Sequence, residues 1–291
     1  MATEDGWSLE VLCLPAQGER RGVLLAGHAM MVDRRSLDRP EGAGMLSYFA
    51  SQGWEVLAPD LRGRGASGPS VSAGGTWSYE DLVRFDLPAC VAAACERAGS
   101  LPVVVLGHSL SGHVSIAAAG AGLYQRLPDA HVLLSANMWG PTLEPGWCMR
   151  LLKGLSIRLL SLVCALAGCF PARRLRVGPV DEAQPYIQDL IRFWRQDHWA
   201  TGDGSIDYLS GMGRVAGPVL ALVGRADRFL AHCDGARVWS SRIGAGGADF
   251  RVVGRGDWGL DFDPDHMELV TDRRCLPLWQ EIHRWLLGRL S

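Results

Sequence analysis

Residues 102–112 read Pro-Val-Val-Val-Leu-Gly-His-Ser-Leu-Ser-Gly, and this stretch constrains the fold more than any other. Three valines and a leucine form a continuous apolar run, the pattern of a strand buried on both faces. Residues 112–121 are small and largely apolar and read as a helix. A strand, a sharp turn and a helix would hold Ser109 at the tip of the turn, with its hydroxyl pushed out above a sheet edge. Gly107 and Ser111 flank that serine where a bulky Cβ would strike the neighbouring turn. An ordinary strand-to-helix turn in another α/β domain could share this string, so its meaning depends on the residues downstream.

The rest of the chain fits a sheet of this kind. It has 291 residues, 48% hydrophobic and 21% charged, which suits one large globular domain or a domain with an insertion. The formal net charge is −2, and no basic block or acidic tail points to nucleic acid. Eight cysteines (Cys13, Cys90, Cys95, Cys148, Cys164, Cys169, Cys233 and Cys275) are scattered, with no Cys-x-x-Cys and no metal spacing. The N-terminus has no basic region followed by an apolar one. These features predict reduced thiols, a cytoplasmic protein and no metal. The most apolar stretch, residues 159–170, is shorter than the ~20 residues a membrane span needs and reads as a buried or an interfacial helix.

Short apolar runs at 23–27, 55–58, 103–106, 132–135, 219–223 and 250–253 read as strands, and residues 7–14 as an alternating first strand. Polar residues 17–21 read as a hairpin turn and imply an antiparallel start. Helices are expected over 44–51, over 80–98 with a break near Pro88, and over 276–290. Strands alternating with helices imply a mainly parallel sheet covered on both faces. The strand rhythm stops between 136 and 212, where Trp139, Trp147, Tyr186, Phe193, Trp194 and Trp199 gather among leucines. This predicts three segments: a first core part at 1–137, a helical cap at 138–212 inserted after the sixth core strand, and a second core part at 213–291.

The segment around Ser109 resembles the nucleophile elbow of the α/β-hydrolase fold, and with it the chain resembles that family. Ser111 stands where the family usually has Gly. The resemblance implies the chain order Ser, then Asp or Glu, then His. An apolar strand ending in Gly224-Arg225-Ala226-Asp227 is similar to the family's acid loop, so Asp227 is the expected acid. Asp257, Asp261, Asp263 and Asp265 are rivals too near the histidine in sequence. His266, after the last strand, matches the family's late histidine. The resemblance also implies two backbone donors for an oxyanion. One is Leu110, after the nucleophile. The other is Met30 in Gly27-His28-Ala29-Met30, with Ala29 as second choice; Ala at the family's Gly position requires a negative φ. Asp60-Leu61-Arg62-Gly63-Arg64-Gly65-Ala66-Ser67 is similar to a family loop, with Asp60 and Arg62 expected to tie it down. His28, Ala29, His108 and Trp139 are candidates for the substrate pocket.

These residues imply a serine hydrolase that cleaves a carboxylic ester or related acyl bond through an acyl-enzyme, with a small-molecule acyl substrate and no cofactor. The apolar cap, with Trp139, Trp147, residues 159–170 and Trp199, implies a substrate with a hydrophobic part. An acyl-transferring, cyclising or thioesterase-type enzyme would use the same triad. A non-catalytic binding protein of the same fold is the alternative from another class.

Overall fold

Alternation at period two decides where the sheet sits. In the computed structural model, which describes residues 1–290, Val23 and Leu25 point to one apolar layer, and Leu24 and Ala26 to the other. The same division repeats at Val103 and Val105 against Val104 and Leu106. A strand with both faces apolar must be covered on both sides, and each fully buried Leu or Val contributes about 1.5–3 kcal/mol.

The strands are β1 (Val11–Leu14), β2 (Gly22–Gly27), β3 (Trp54–Pro59), β4 (Val103–His108), β5 (Ala130–Leu134), the two-residue pair β6 (Cys169–Phe170) and β7 (Glu182–Ala183), β8 (Val219–Gly224) and β9 (Asp249–Val253). Seven form one sheet in the order β1-β3-β2-β4-β5-β8-β9, parallel except for β1. Helices α1 (Met45–Ser51) and α7 (Leu276–Leu290) cover one face. Helices α2 (Leu87–Ala98), α3 (Leu110–Gly120) and α6 (Cys233–Ser240) cover the other. Helices α4 (Trp147–Ala167) and α5 (Gln184–Gln196) lie in the long excursion between β5 and β8.

The order reverses between β2 and β4. From β2 the chain crosses to β3 on one side; from β4 it crosses to β5 on the other. Loops leaving the carboxyl ends of β2 and β4 therefore diverge, and a crevice opens where binding sites of open α/β sheets form. Gly27 and Gly107 are direct partners in the register, so the loops starting at His28 and Ser109 begin side by side.

Two expectations need correction. Residues 17–21 are not a hairpin turn: β1 pairs antiparallel with β3, and β3 lies between β1 and β2. A polar turn marks a reversal, but does not say which strand the chain returns to. The excursion follows the fifth strand in chain order, not the sixth. Near Pro88 the helical stretch is interrupted and restarts, as expected: a π turn at Leu82–Asp86 precedes the α-helix that begins at Leu87. Pro88 has no N–H for the carbonyl of Arg84, and a wider turn absorbs the misfit. Ser291, the end of the expected 213–291 segment, lies outside the described residues.

Of the six buried histidines, His28, His108, His113 and His131 are pushed down by burial to about 4, 3, 3 and 4 respectively. In the unfolded chain they protonate near pH 6.5. Between these values the unfolded state binds more protons, so stability falls as pH drops below about 6.5. His131 has no partner at either ring nitrogen. Replacing it, as His131→Leu, removes one such group. Urea unfolding between pH 7 and 5 should then show a shallower loss of stability than wild type, by at most about 1.4 kcal/mol per pH unit. Equal slopes would show that His131 does not contribute.

Candidate functional site

Ser109 joins β4 to α3 with φ 50° and ψ −109°, a conformation rare for a residue with a side chain and costing on the order of 1–3 kcal/mol. Its surroundings hold it there. The Ser109 N–H donates to the Leu134 carbonyl at 2.8 Å, and the Ser109 carbonyl accepts from Gly112 and His113. Strand and helix cross almost backbone to backbone: a Cβ on Gly107 would collide with the Gly112 Cα. Leu110 opens α3, where helical N–H groups have no partner within the helix. Its N–H has no acceptor among the described residues.

The loop after β2 is set by His28. Its ring is wholly buried; Nε2 accepts from the Leu61 N–H at 3.1 Å, which leaves Nδ1–H to donate to the Ala29 carbonyl at 2.8 Å. A trans peptide points its C=O and N–H in opposite directions. Holding the Ala29 carbonyl therefore aims the Met30 N–H away from the ring, and that N–H also has no acceptor among the described residues. The Ser111 hydroxyl donates to the His28 carbonyl at 2.5 Å, so the serine at the usual glycine position ties this loop to the turn at Ser109. Ala29 is not in the positive-φ region, as the Ala-for-Gly reading required; the left-handed residue is Met31, at φ 61°. The Met31 N–H is taken by Glu182 Oε1 at 2.6 Å, which removes it as an alternative donor. Glu182 is in turn held by Arg64 at 2.5 Å, with both side chains wholly buried.

Beyond β8 and β9, Asp227 and His266 meet. The His266 Nδ1–H donates to Asp227 Oδ2 at 2.6 Å, and Asp227 Oδ1 accepts from the Ala231 N–H at 3.0 Å. Burial alone would raise the Asp227 pKa. The hydrogen bond and charge of His266 and the Ala231 amide outweigh it and hold the carboxyl below its ordinary range. The Ser135 hydroxyl faces the same carboxylate, out of line for a full hydrogen bond. An ionised carboxylate only accepts, so it fixes the Nδ1–H tautomer and leaves Nε2 with a lone pair. The His108 Nε2–H donates to the His266 carbonyl at 2.8 Å, and the two rings are 5.2 Å apart, which sets His266 beside the residue preceding Ser109. Ser109 and His266 are not hydrogen-bonded to each other.

Three of the four rival carboxylates have other partners. Asp257 and Asp263 pair with Arg225, and Asp265 accepts the N–H groups of Met267 and Glu268. Of the pocket candidates, His28 and His108 brace the backbone from buried positions and offer no open face. Trp139 donates to the Leu230 carbonyl and lines a shallow cleft with Met138, Leu143, Phe193 and Trp199; Ser109 is not part of that cleft. The aromatic residues of the excursion divide between solvent and core. Trp147 is 72% exposed and points to solvent, while Trp199, Tyr186, Phe193 and Tyr208 pack with Tyr79 in a closed aromatic layer. Asp60 and Arg62 each tie the loop down without pairing with one another: Asp60 accepts from the Ala66 N–H at 3.0 Å and pairs with Arg34, and Arg62 pairs with Asp86 and Asp5. Sequence reasoning missed Glu182, Arg64 and Ser135. A charged pair 118 residues apart leaves no local pattern.

A seven-stranded, mainly parallel sheet with a turn of this geometry at the end of β4 is the α/β-hydrolase fold. The chain belongs to the Hydrolase_4 family, described as serine aminopeptidase, S33, whose model matches residues 43–241. The matched residues include Ser109 and Asp227 and stop short of His266. The chain is similar to Triacylglycerol lipase 2 of Arabidopsis thaliana, 28% identical over 149 residues, which cover 46% of this chain and 35% of that protein. It thus spans about a third of the curated relative's length. In fold it is similar to a soluble variant of monoglyceride lipase from Saccharomyces cerevisiae (TM-score 0.65, 16% identity, 100% of this chain and 97% of that one). It is also similar to a thermophilic esterase from Thermogutta terrifontis (TM-score 0.61, 16% identity, 100% and 97%).

Removing the Ser111 hydroxyl should loosen the His28–Met30 loop while leaving the turn intact. Ser111→Ala should cost about 1 kcal/mol of stability and lower kcat for an ester substrate roughly tenfold, with KM little changed. An unchanged kcat would mean that this hydrogen bond does not position the Met30 amide.

Proposed function

We propose that this chain is a serine hydrolase of carboxylic esters or related acyl compounds, working through Ser109, His266 and Asp227. The observation that carries the reading is the 2.6 Å His266–Asp227 hydrogen bond beside a strained serine at the head of α3. The lipase and esterase names among the relatives support an ester as the substrate class.

The Ser109 hydroxyl attacks the acyl carbon, and its proton passes to His266 Nε2. Asp227 holds the imidazole in the receptive tautomer and stabilises the imidazolium. The carbonyl oxygen becomes an oxyanion that accepts hydrogen bonds from the Met30 and Leu110 N–H groups. The bond to the leaving alcohol then breaks, and the alcohol takes the proton from His266. Water attacks the acyl-enzyme, gives its proton to His266, and releases the acid as Ser109 recovers its proton.

This reading predicts rapid labelling of the wild type by a fluorophosphonate, none in Ser109→Ala, and labelling slowed by on the order of a hundredfold or more in His266→Ala. Hydrolysis of p-nitrophenyl esters should follow the same order. A folded wild type that neither labels nor hydrolyses any ester or thioester would sink the proposal and favour a binding role.

A further inference from the structure

The outward face of α4 runs against the usual rule for a helix on a folded protein. Lys153, Ile157 and Cys164 form its buried stripe. Opposite them, Leu151, Leu155, Leu159, Leu162 and Leu166 follow at spacings of three and four and are all exposed, Leu159 by 62% and Leu166 by 81%. Residues three and four apart share one face of a helix, so these leucines form a single stripe. It runs most of a helix of 21 residues, about 30 Å long. Trp147, also exposed, stands at its start. A continuous apolar stripe on a surface marks an interaction site, whereas scattered leucines would not.

The charges around the stripe select its partner. Between residues 145 and 180 there are six basic residues and no Asp or Glu. Lys153 is neutralised by Glu144 inside the protein. The other five, Arg150, Arg158, Arg173, Arg174 and Arg176, are exposed, and none of their guanidinium groups pairs with a carboxylate among the described residues; Asp181, just past this stretch, accepts only the Arg173 backbone N–H. No helix among the described residues is long and apolar enough to cross a membrane, so this helix would lie on a surface rather than span it.

We propose that α4 docks the protein on a lipid surface bearing anionic headgroups, its leucines entering the acyl boundary and the neighbouring arginines meeting the headgroups. A second copy of the chain is the poorer fit. A two-fold contact through α4 would set the same unpaired arginines against one another. The inference is independent of the chemistry at Ser109.

The full-length protein should co-float with vesicles of equimolar phosphatidylcholine and phosphatidylglycerol, at least about tenfold more than with phosphatidylcholine alone, and less as salt rises. The double variant Leu159→Glu/Leu162→Glu changes only exposed positions. It should keep its thermal unfolding midpoint and its hydrolysis of a water-soluble ester, but lose vesicle binding. Arg150→Gln/Arg158→Gln should bind more weakly and with a shallower salt dependence. Absence of binding to the anionic vesicles, or binding unchanged in the leucine variant, would overturn the proposal. So would a wild-type dimer in light scattering that the leucine variant converts to monomer, because the stripe would then be covered by a second copy.

Discussion

The contact on which the rest depends is the crossing of Gly107 and Gly112. With no Cβ on either residue, β4 and α3 approach closely enough for the chain to reverse within one residue. That reversal puts Ser109 at positive φ and leaves the Leu110 N–H free at the head of the helix. Side chains at either glycine would force strand and helix apart, and the serine would relax to ordinary backbone. The strain at Ser109 is thus a consequence of close packing behind it, offset by the buried helix and sheet it connects.

Around this turn, buried polar groups fix backbone directions. His28 holds one peptide, Ser111 ties that peptide's strand to the turn, and His108 holds the carbonyl of His266. Each is far from solvent, where a hydrogen bond is strong and an unmade one is costly. Two ion pairs extend the bracing into the excursion between β5 and β8. Arg64 and Glu182 join the loop after β3 to β7 and, through Met31, to the loop after β2. Lys153 and Glu144 join α4 to the start of the excursion, and a Cβ on Gly235 of α6 would lie 2.5 Å from Glu144 Oε1. Buried pairs of this kind add little net stability, since desolvation consumes most of the attraction, but losing one partner leaves an isolated buried charge.

How much of this was legible in the sequence depended on the range of the interaction. β2, β4 and β8 were readable because an apolar run ending in Gly is a local signal. Asp227 and His266 were readable through their order and their position after strands. The skipped strand between β1 and β2 was not, because a polar turn specifies a reversal and not a partner. His28 and His108 were taken for pocket residues because a histidine beside a catalytic-looking motif has the same letters whether its ring faces substrate or a carbonyl. The orientation of α4 was hidden for a different reason. Its inward stripe carries Lys153 and its outward stripe carries leucines, so the rule that apolar faces turn inward gives the wrong side. Glu144, nine residues earlier and outside the helix, accepts the lysine and explains the inversion.

Catalysis through Ser109 requires a covalent bond between its oxygen and the acyl group. Intact-protein mass spectrometry after rapid mixing with p-nitrophenyl butyrate, followed by peptide mapping, tests it most directly. One added butyryl group is expected, on the peptide containing Ser109, which decays as butyrate is released and is absent in Ser109→Ala. Turnover with no acyl adduct at any time point, or an adduct on another residue that survives Ser109→Ala, would contradict it.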